Sequence, residues 1–226
     1  MKNFLLCLLV LILSTSCSQD SDNKTIVPFA GNAIKLSAEN PSNHMDKEGK
    51  KYYEALQIYL KENDSPSSIA QMTDQLNFTS GSISPNNSTG RGVILFTDEW
   101  VESIMEDPDN SLITIVQSSN LTLAAQNNVI DFLQNLLSQR QEEFSVQCNF
   151  IVSYENDLIN NTTLIEDEKD TLLTVASISR YSLYSEAERK DRDWEKSVGR
   201  NARNFLKPNE EANITTIAFL KKLISN

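Results

Sequence analysis

The sequence predicts a mainly α-helical, bundle-like single domain behind a flexible N-terminal tether, with room for one or two short strands. Three observations lead there. Five segments between residues 45 and 226 place apolar side chains at helical spacing and begin or end on cap or breaker residues. The composition, 39% hydrophobic and 23% charged over 226 residues, is that of a soluble globular chain rather than a collagen-like, disulfide-scaffold or polytopic membrane protein. No internal repeat divides residues 45–226, a length that buries roughly 70% of its unfolded surface around one core.

The N-terminus reads as an export signal. Lys2 supplies the positive charge, an apolar run spans Phe4 to Leu13, and the small residues Ser14, Thr15 and Ser16 follow. A run of about 10 residues is too short for a helix to cross a ~30 Å hydrocarbon core. Cys17 comes next, and Leu13-Ser14-Thr15-Ser16-Cys17 resembles the lipobox of bacterial lipoproteins. Ser14 departs from the aliphatic residue most common three before the cysteine. In that family the cysteine becomes the lipidated N-terminus after cleavage, and its acyl chains hold the protein to a membrane. The resemblance therefore implies a signal peptide over 1–16, lipidation at Cys17, and a place in the cell envelope, at the outer membrane. Ser18-Gln19-Asp20-Ser21-Asp22 is polar and acidic and resembles the surface-export tether of Bacteroidota-type lipoproteins. That resemblance implies the cell surface; the periplasmic face is the alternative. It covers only about the first two dozen residues and implies nothing for the domain behind them.

Residues 17–44 read as the lipidated cysteine and a tether, with Pro28, Pro41 and several Asn and Ser. Cys7 leaves with the signal and Cys17 is acylated, so Cys148 is left without a disulfide partner. Standing among Val146, Phe150 and Val152, it reads as a buried, inert thiol.

Within 45–226 the elements follow in order. Tyr52, Leu56, Tyr59 and Leu60 form one apolar stripe, predicting a helix over about 45–61. Pro66 opens a short second helix towards Leu76. Thr79 to Gly92, with three Gly, Pro85 and two adjacent Asn, reads as a loop, and Val93 to Phe96 as a short buried strand. Thr97 is an N-cap for a helix that carries Val101, Ile104 and Met105 inward and stops before Pro108. Val129, Phe132, Leu133, Leu136 and Leu137 predict a helix within 121–144. Thr163, with Glu166 three residues on, predicts a capping box for a helix through Leu172, Val175, Ala176, Ser179 and Leu183. Asn209 caps a last helix with Glu210 and Glu211 in its first turn, an apolar face of Ile214, Ile217, Leu220 and Ile224, and Lys221 and Lys222 near its end. Two segments fit a strand as well as a helix: Leu112 to Val116, and Val146 to Tyr154. Helix is preferred for the second, because its neighbours are helical and a lone strand has no partner.

Little in this chain speaks for catalysis. The one imidazole, His44, falls at the edge of the tether, where a flexible base cannot be held against a Ser or Cys nucleophile. One His and one unlipidated Cys exclude the usual structural zinc sets and the metalloprotease helix. Asp107, Asp109 and Ser111 begin like a calcium loop but lack its turn-making Gly and closing Glu, so a helix terminus fits them better. Gly90-Arg91-Gly92 precedes an apolar run instead of following one, the wrong order for a phosphate cradle. Glu142/Glu143 and Glu166 to Glu168 permit a glycosidase-like carboxylate pair without indicating one. Asp170-Thr171-Leu172 resembles the short O-glycosylation signal of Bacteroidota exported proteins but lies inside a predicted helix.

The stretch of unusual character is Tyr181 to Arg203. From Glu186 to Arg203 it carries six cations against five acids, in a chain of net charge −11. Tyr184, Ala187, Asp191, Trp194 and Val198 share one helical stripe, leaving Arg192, Lys196 and Arg203 outside. A core aromatic beneath a salt-bridged face is the plain reading. The other is a cation-and-aromatic surface of Arg192, Trp194, Lys196, Arg200 and Arg203, suited to an anionic glycan or an acidic protein segment.

The acidic balance speaks against nucleic acid as a partner, because phosphates call for concentrated cationic surface. The expected function is a lipid-anchored, non-catalytic interaction or binding module. Its partners are the membrane, through the N-terminal lipid, and a protein or glycan not identifiable from sequence, with no cofactor and no metal. Two alternatives stand beside it: a small carboxylate-dependent envelope hydrolase, and an inhibitor or immunity-type lipoprotein.

Overall fold

Ser68 accepts from the Gln71 N–H, Asp107 from Asn110 and Thr122 from Ala125, and each of these side-chain caps starts a helix where the chain would otherwise leave an N–H orphaned. The computed structural model describes residues 37–83, 95–196, 206–207 and 209–225, with the side chains of 191–196 excepted. Eight helices run through them: α1 Asp46–Glu62, α2 Ile69–Ser80, α3 Asp98–Glu106, α4 Pro108–Gln117, α5 Leu123–Ser138, α6 Phe144–Asn160, α7 Glu166–Lys196 and α8 Glu210–Ile224. The fold is mainly α, and no strand occurs among the described residues.

Both ambiguous segments are helical, the first inside α4 and the second inside α6. For α6 the helical spacing decides: Phe132 of α5 stacks on both Tyr154, 3.9 Å between centroids, and Phe150. The expected strand at Val93 to Phe96 is not formed at its described residues, Leu95 and Phe96. The Asn77 side-chain amide takes the place of a neighbouring strand, accepting from the Phe96 N–H at 2.8 Å and donating to its carbonyl at 3.1 Å. Most of the predicted loop, 84–92, lies outside the described residues, and its first two residues, Thr79 and Ser80, are the end of α2.

Other boundaries move for local reasons. The predicted capping box at Thr163 is replaced by an Asx turn, in which Asn161 Oδ1 accepts from the Thr163 N–H, the Thr163 hydroxyl and the Leu164 N–H, so α7 begins at Glu166. The long helix expected within 121–144 stops at Ser138, and a separate helix opens at Phe144. The packed domain also reaches back ahead of residue 45. Ala38, Asn40 and Asn43, in the stretch read as tether, are buried.

At the centre lie α7 and α8, antiparallel, as the pairing of Asn209 with Glu186 and of Thr216 with Ser179 requires. Every residue from Leu172 to Leu183 and from Glu211 to Leu220 is buried, so both helices are enclosed on all sides over these lengths. α1 and α6 pack against α7, while α2, α3 and α4 pack against α8. α5 joins the two groups through α4 and α6. Tyr52 of α1 reaches across, its ring edge-on to Phe219 of α8 at 5.4 Å and its hydroxyl 3.2 Å from Ser182 of α7.

Candidate functional site

Three arrangements of polar groups survive in this apolar frame. The first closes the N-terminal segment over α6 and α7. Arg180 and Glu155 are both completely buried, and Arg180 Nη2 donates to Glu155 Oε1 at 2.8 Å and to Asp46 Oδ1 at 2.7 Å. Burial disfavours the guanidinium charge, but the two carboxylates more than offset that and hold its pKa above the ordinary value. Asn40 and Asn43 donate their side-chain amides to the two oxygens of Glu155 at 2.6 and 2.7 Å, and Asn43 also donates to the Leu173 carbonyl. The Tyr181 hydroxyl donates to Asp46. Residues 37–45 thus form a strap whose asparagine amides satisfy the buried Glu155 carboxylate. Cys148 lies half-buried beneath it, its Sγ 4.0 Å from the Ser37 carbonyl, and burial raises its thiol pKa. An uncharged thiol is a poor nucleophile. His44, at the end of the strap, is exposed and meets Asp170 at 2.6 Å.

The second arrangement starts α8. Asn209, predicted as its cap, takes a left-handed conformation with φ of 58° and makes no capping bond. Its side chain accepts instead from Lys190 and donates to the Arg140 carbonyl. The cap comes from the neighbouring helix: Glu186 accepts from the Asn209 N–H at 2.9 Å and from the Ala212 N–H at 2.8 Å. Burial, with the nearby Glu211 carboxylate, raises the Glu186 pKa to about 7. Glu211 in turn accepts from Gln75 at 2.8 Å and Arg189 at 2.7 Å. Both Glu186 oxygens are committed to backbone, so this perturbed carboxyl closes a helix end rather than facing a substrate.

The third is a small cleft of about 30 Å³ between α3, α5 and the start of α8. Ile104, Met105, Leu137 and Ile214 give it an apolar floor, and Arg140, Lys207 and Asn213 border it. Arg140 and Lys207 are exposed. Asn213 is only 6% exposed. Glu210, also at the border, accepts from the Lys207 N–H at 2.6 Å.

The residues singled out from sequence fare differently. Cys17 lies outside the described residues, as do Arg200 and Arg203. Arg192, Trp194 and Lys196 belong to the α7 backbone, with side chains outside the described set. Among the acids, Glu142, Glu143 and Glu166 are exposed, whereas Glu168 is buried and holds the start of α5 through the Thr122 N–H and hydroxyl. Asp107 caps α4 and Ser111 donates to the Ser103 carbonyl, which uses two of the three oxygens of the supposed calcium loop in helix packing. No group of three metal-ligating side chains forms among the described residues. Thr171 spends its hydroxyl on the Asp167 carbonyl within α7. The cleft escaped sequence reading because its residues come from three separate stretches; Arg140 and Lys207, flanking helix ends, carried no pattern. No known protein family matches the chain, and no curated protein or solved structure is similar to it.

Proposed function

We propose that the chain is a lipid-anchored envelope protein whose helical domain serves as a binding module. The observation that carries this is the order at the N-terminus: one cation, a short apolar run, small residues, then Cys17. The strap supports it. Residues 18–36 separate Cys17 from a segment that Asn40 and Asn43 fasten into the core, so a lipid on Cys17 would join the domain through a firmly seated attachment. Among the described residues the buried carboxylates Glu155, Glu168 and Glu186 each fasten a helix or the strap, and the open cleft sets the exposed cations Arg140 and Lys207 beside an apolar floor. That arrangement suits recognition better than bond-breaking.

Envelope fractionation of wild type against Cys17→Ala tests the reading. The wild type goes to the membrane fraction as a processed form and the variant accumulates as uncleaved precursor. Mature protein in the soluble fraction for both would end the anchor.

A further inference from the structure

We infer that Arg180 binds at least two water molecules inside the domain, sealed beneath the strap of residues 37–45. This goes beyond the anchored-module reading and holds whether or not Cys17 carries a lipid. The Arg180 side chain is fully buried, and Nη2 alone has partners, Asp46 Oδ1 at 2.7 Å and Glu155 Oε1 at 2.8 Å. Nε and Nη1 are buried without a hydrogen-bond partner among the described residues. One hydrogen on Nε and two on Nη1 are therefore unspent, and buried donors are ordinarily paired. Losing a proton does not relieve them, because the flanking carboxylates keep the guanidinium charged. Turning the group does not either, since it would give up the two short bonds of Nη2.

The shape of the guanidinium and the local charge name the ligand. In the planar fork the Nε hydrogen and the Nη1 hydrogens flank Nη2 on opposite edges, so one small acceptor cannot serve both. The formal charges of Arg180, Glu155 and Asp46 already sum to −1, which disfavours an anion such as chloride. A neutral acceptor with hydrogens of its own suits the site, because each carboxylate keeps an accepting position free. Glu155 Oε1 accepts from Asn43 and Arg180, but Oε2 from Asn40 alone. Asp46 Oδ1 accepts from Arg180 and the Asn40 N–H, but Oδ2 from Tyr181 alone. Water accepts from the arginine and has hydrogens to donate onward to such oxygens, and buried water is commonly held by two to four polar partners. Asn40 and Asn43 close the site over Glu155, and the Asp46 side chain, 18% exposed, is the most exposed of these groups.

The test is nuclear magnetic resonance of the isotope-labelled full chain purified in detergent, with the Arg180 Nε–H assigned through its own Cδ protons. Dipolar cross-peaks between water and this N–H are expected, with the sign of water held far longer than at the surface. They should persist in Tyr181→Phe and in Ser177→Ala, which remove the hydroxyl protons bonded to Asp46 that would otherwise relay magnetisation from the solvent. Asn40→Ala with Asn43→Ala should speed hydrogen exchange at the Arg180 Nε–H by at least about tenfold and leave the amides of α8 unchanged. Absence of the water cross-peak in the wild type overturns the inference, because a buried Nε–H without water is bonded to protein. Loss of the cross-peak in either hydroxyl variant does the same, since the signal then came through the hydroxyl. An exchange rate unmoved by removal of the two asparagines would show that the strap does not seal the site, and equally overturns it.

Discussion

Gly49 of α1 lies so close to Ser177 of α7 that a β-carbon on it would stand 2.1 Å from the Ser177 hydroxyl oxygen and 2.7 Å from the Ser177 carbonyl carbon. The ring of Tyr181 closes the same gap at 2.6 Å. The absence of a side chain at residue 49, paired with serine rather than a larger residue at 177, sets the distance between α1 and the central helix. Because one of the blocking atoms is backbone, rotamer changes alone cannot make room. Gly49→Ala should therefore destabilise the domain by at least about 1 to 3 kcal/mol, even though alanine is the better helix former. Chemical denaturation checks it, and an unchanged midpoint would mean that the two helices do not approach this closely.

The strap and the ion pair beneath it depend on each other. Removing the cation by Arg180→Met leaves Glu155 and Asp46 facing each other without compensation and should cost about 3 to 5 kcal/mol. Replacing Asn40 and Asn43 together with Ala is milder in charge but local in effect. Hydrogen exchange should then rise across residues 37–45 before the rest of the domain, since Glu155 holds that segment through those two amides. Uniform change across all helices would instead make the strap an inseparable part of the core.

A carboxyl held at about pH 7 in the fold makes stability depend on pH in a definite direction. Glu186 in the unfolded chain titrates near the ordinary glutamate value, so between roughly pH 4.5 and 7 the folded state binds more protons than the unfolded one. Stability from this group is therefore full below that window and is lost as pH rises through it, by an amount on the order of 3 kcal/mol. Arg189, Lys190 and the Asn209 and Ala212 N–H groups all face Glu186 and limit the loss. Melting temperatures at pH 5.5 and pH 8 should fall more steeply in wild type than in Glu186→Gln. Parallel curves would assign the pH dependence to other groups.

The sequence disclosed the helices where a single face is apolar and a local cap marks the start. α5, with Thr122 ahead of Val129, Phe132 and Leu136, is such a case. α7 was harder, because Leu172 to Leu183 is buried on every side and its serines read as polar although they lie in the interior. Starts fixed by a distant residue could not be read locally. Glu186 caps α8 from another helix and Glu168 secures Thr122 from 46 positions away, and neither spacing leaves a trace in the sequence. Asn40 and Asn43 looked like tether residues for the same reason: their partner is Glu155, and composition alone makes an Asn-rich segment look unattached. The cleft joins residues from three stretches with no shared motif, and only the fold brings them together.

The intact mass of the mature protein purified from membranes tests the anchored-module account most directly. The account predicts a polypeptide beginning at Cys17 and heavier than its amino-acid sequence by covalently attached acyl chains, with that added mass absent in Cys17→Ala. A mature N-terminus at any other residue, or a Cys17 of unmodified mass, would contradict it.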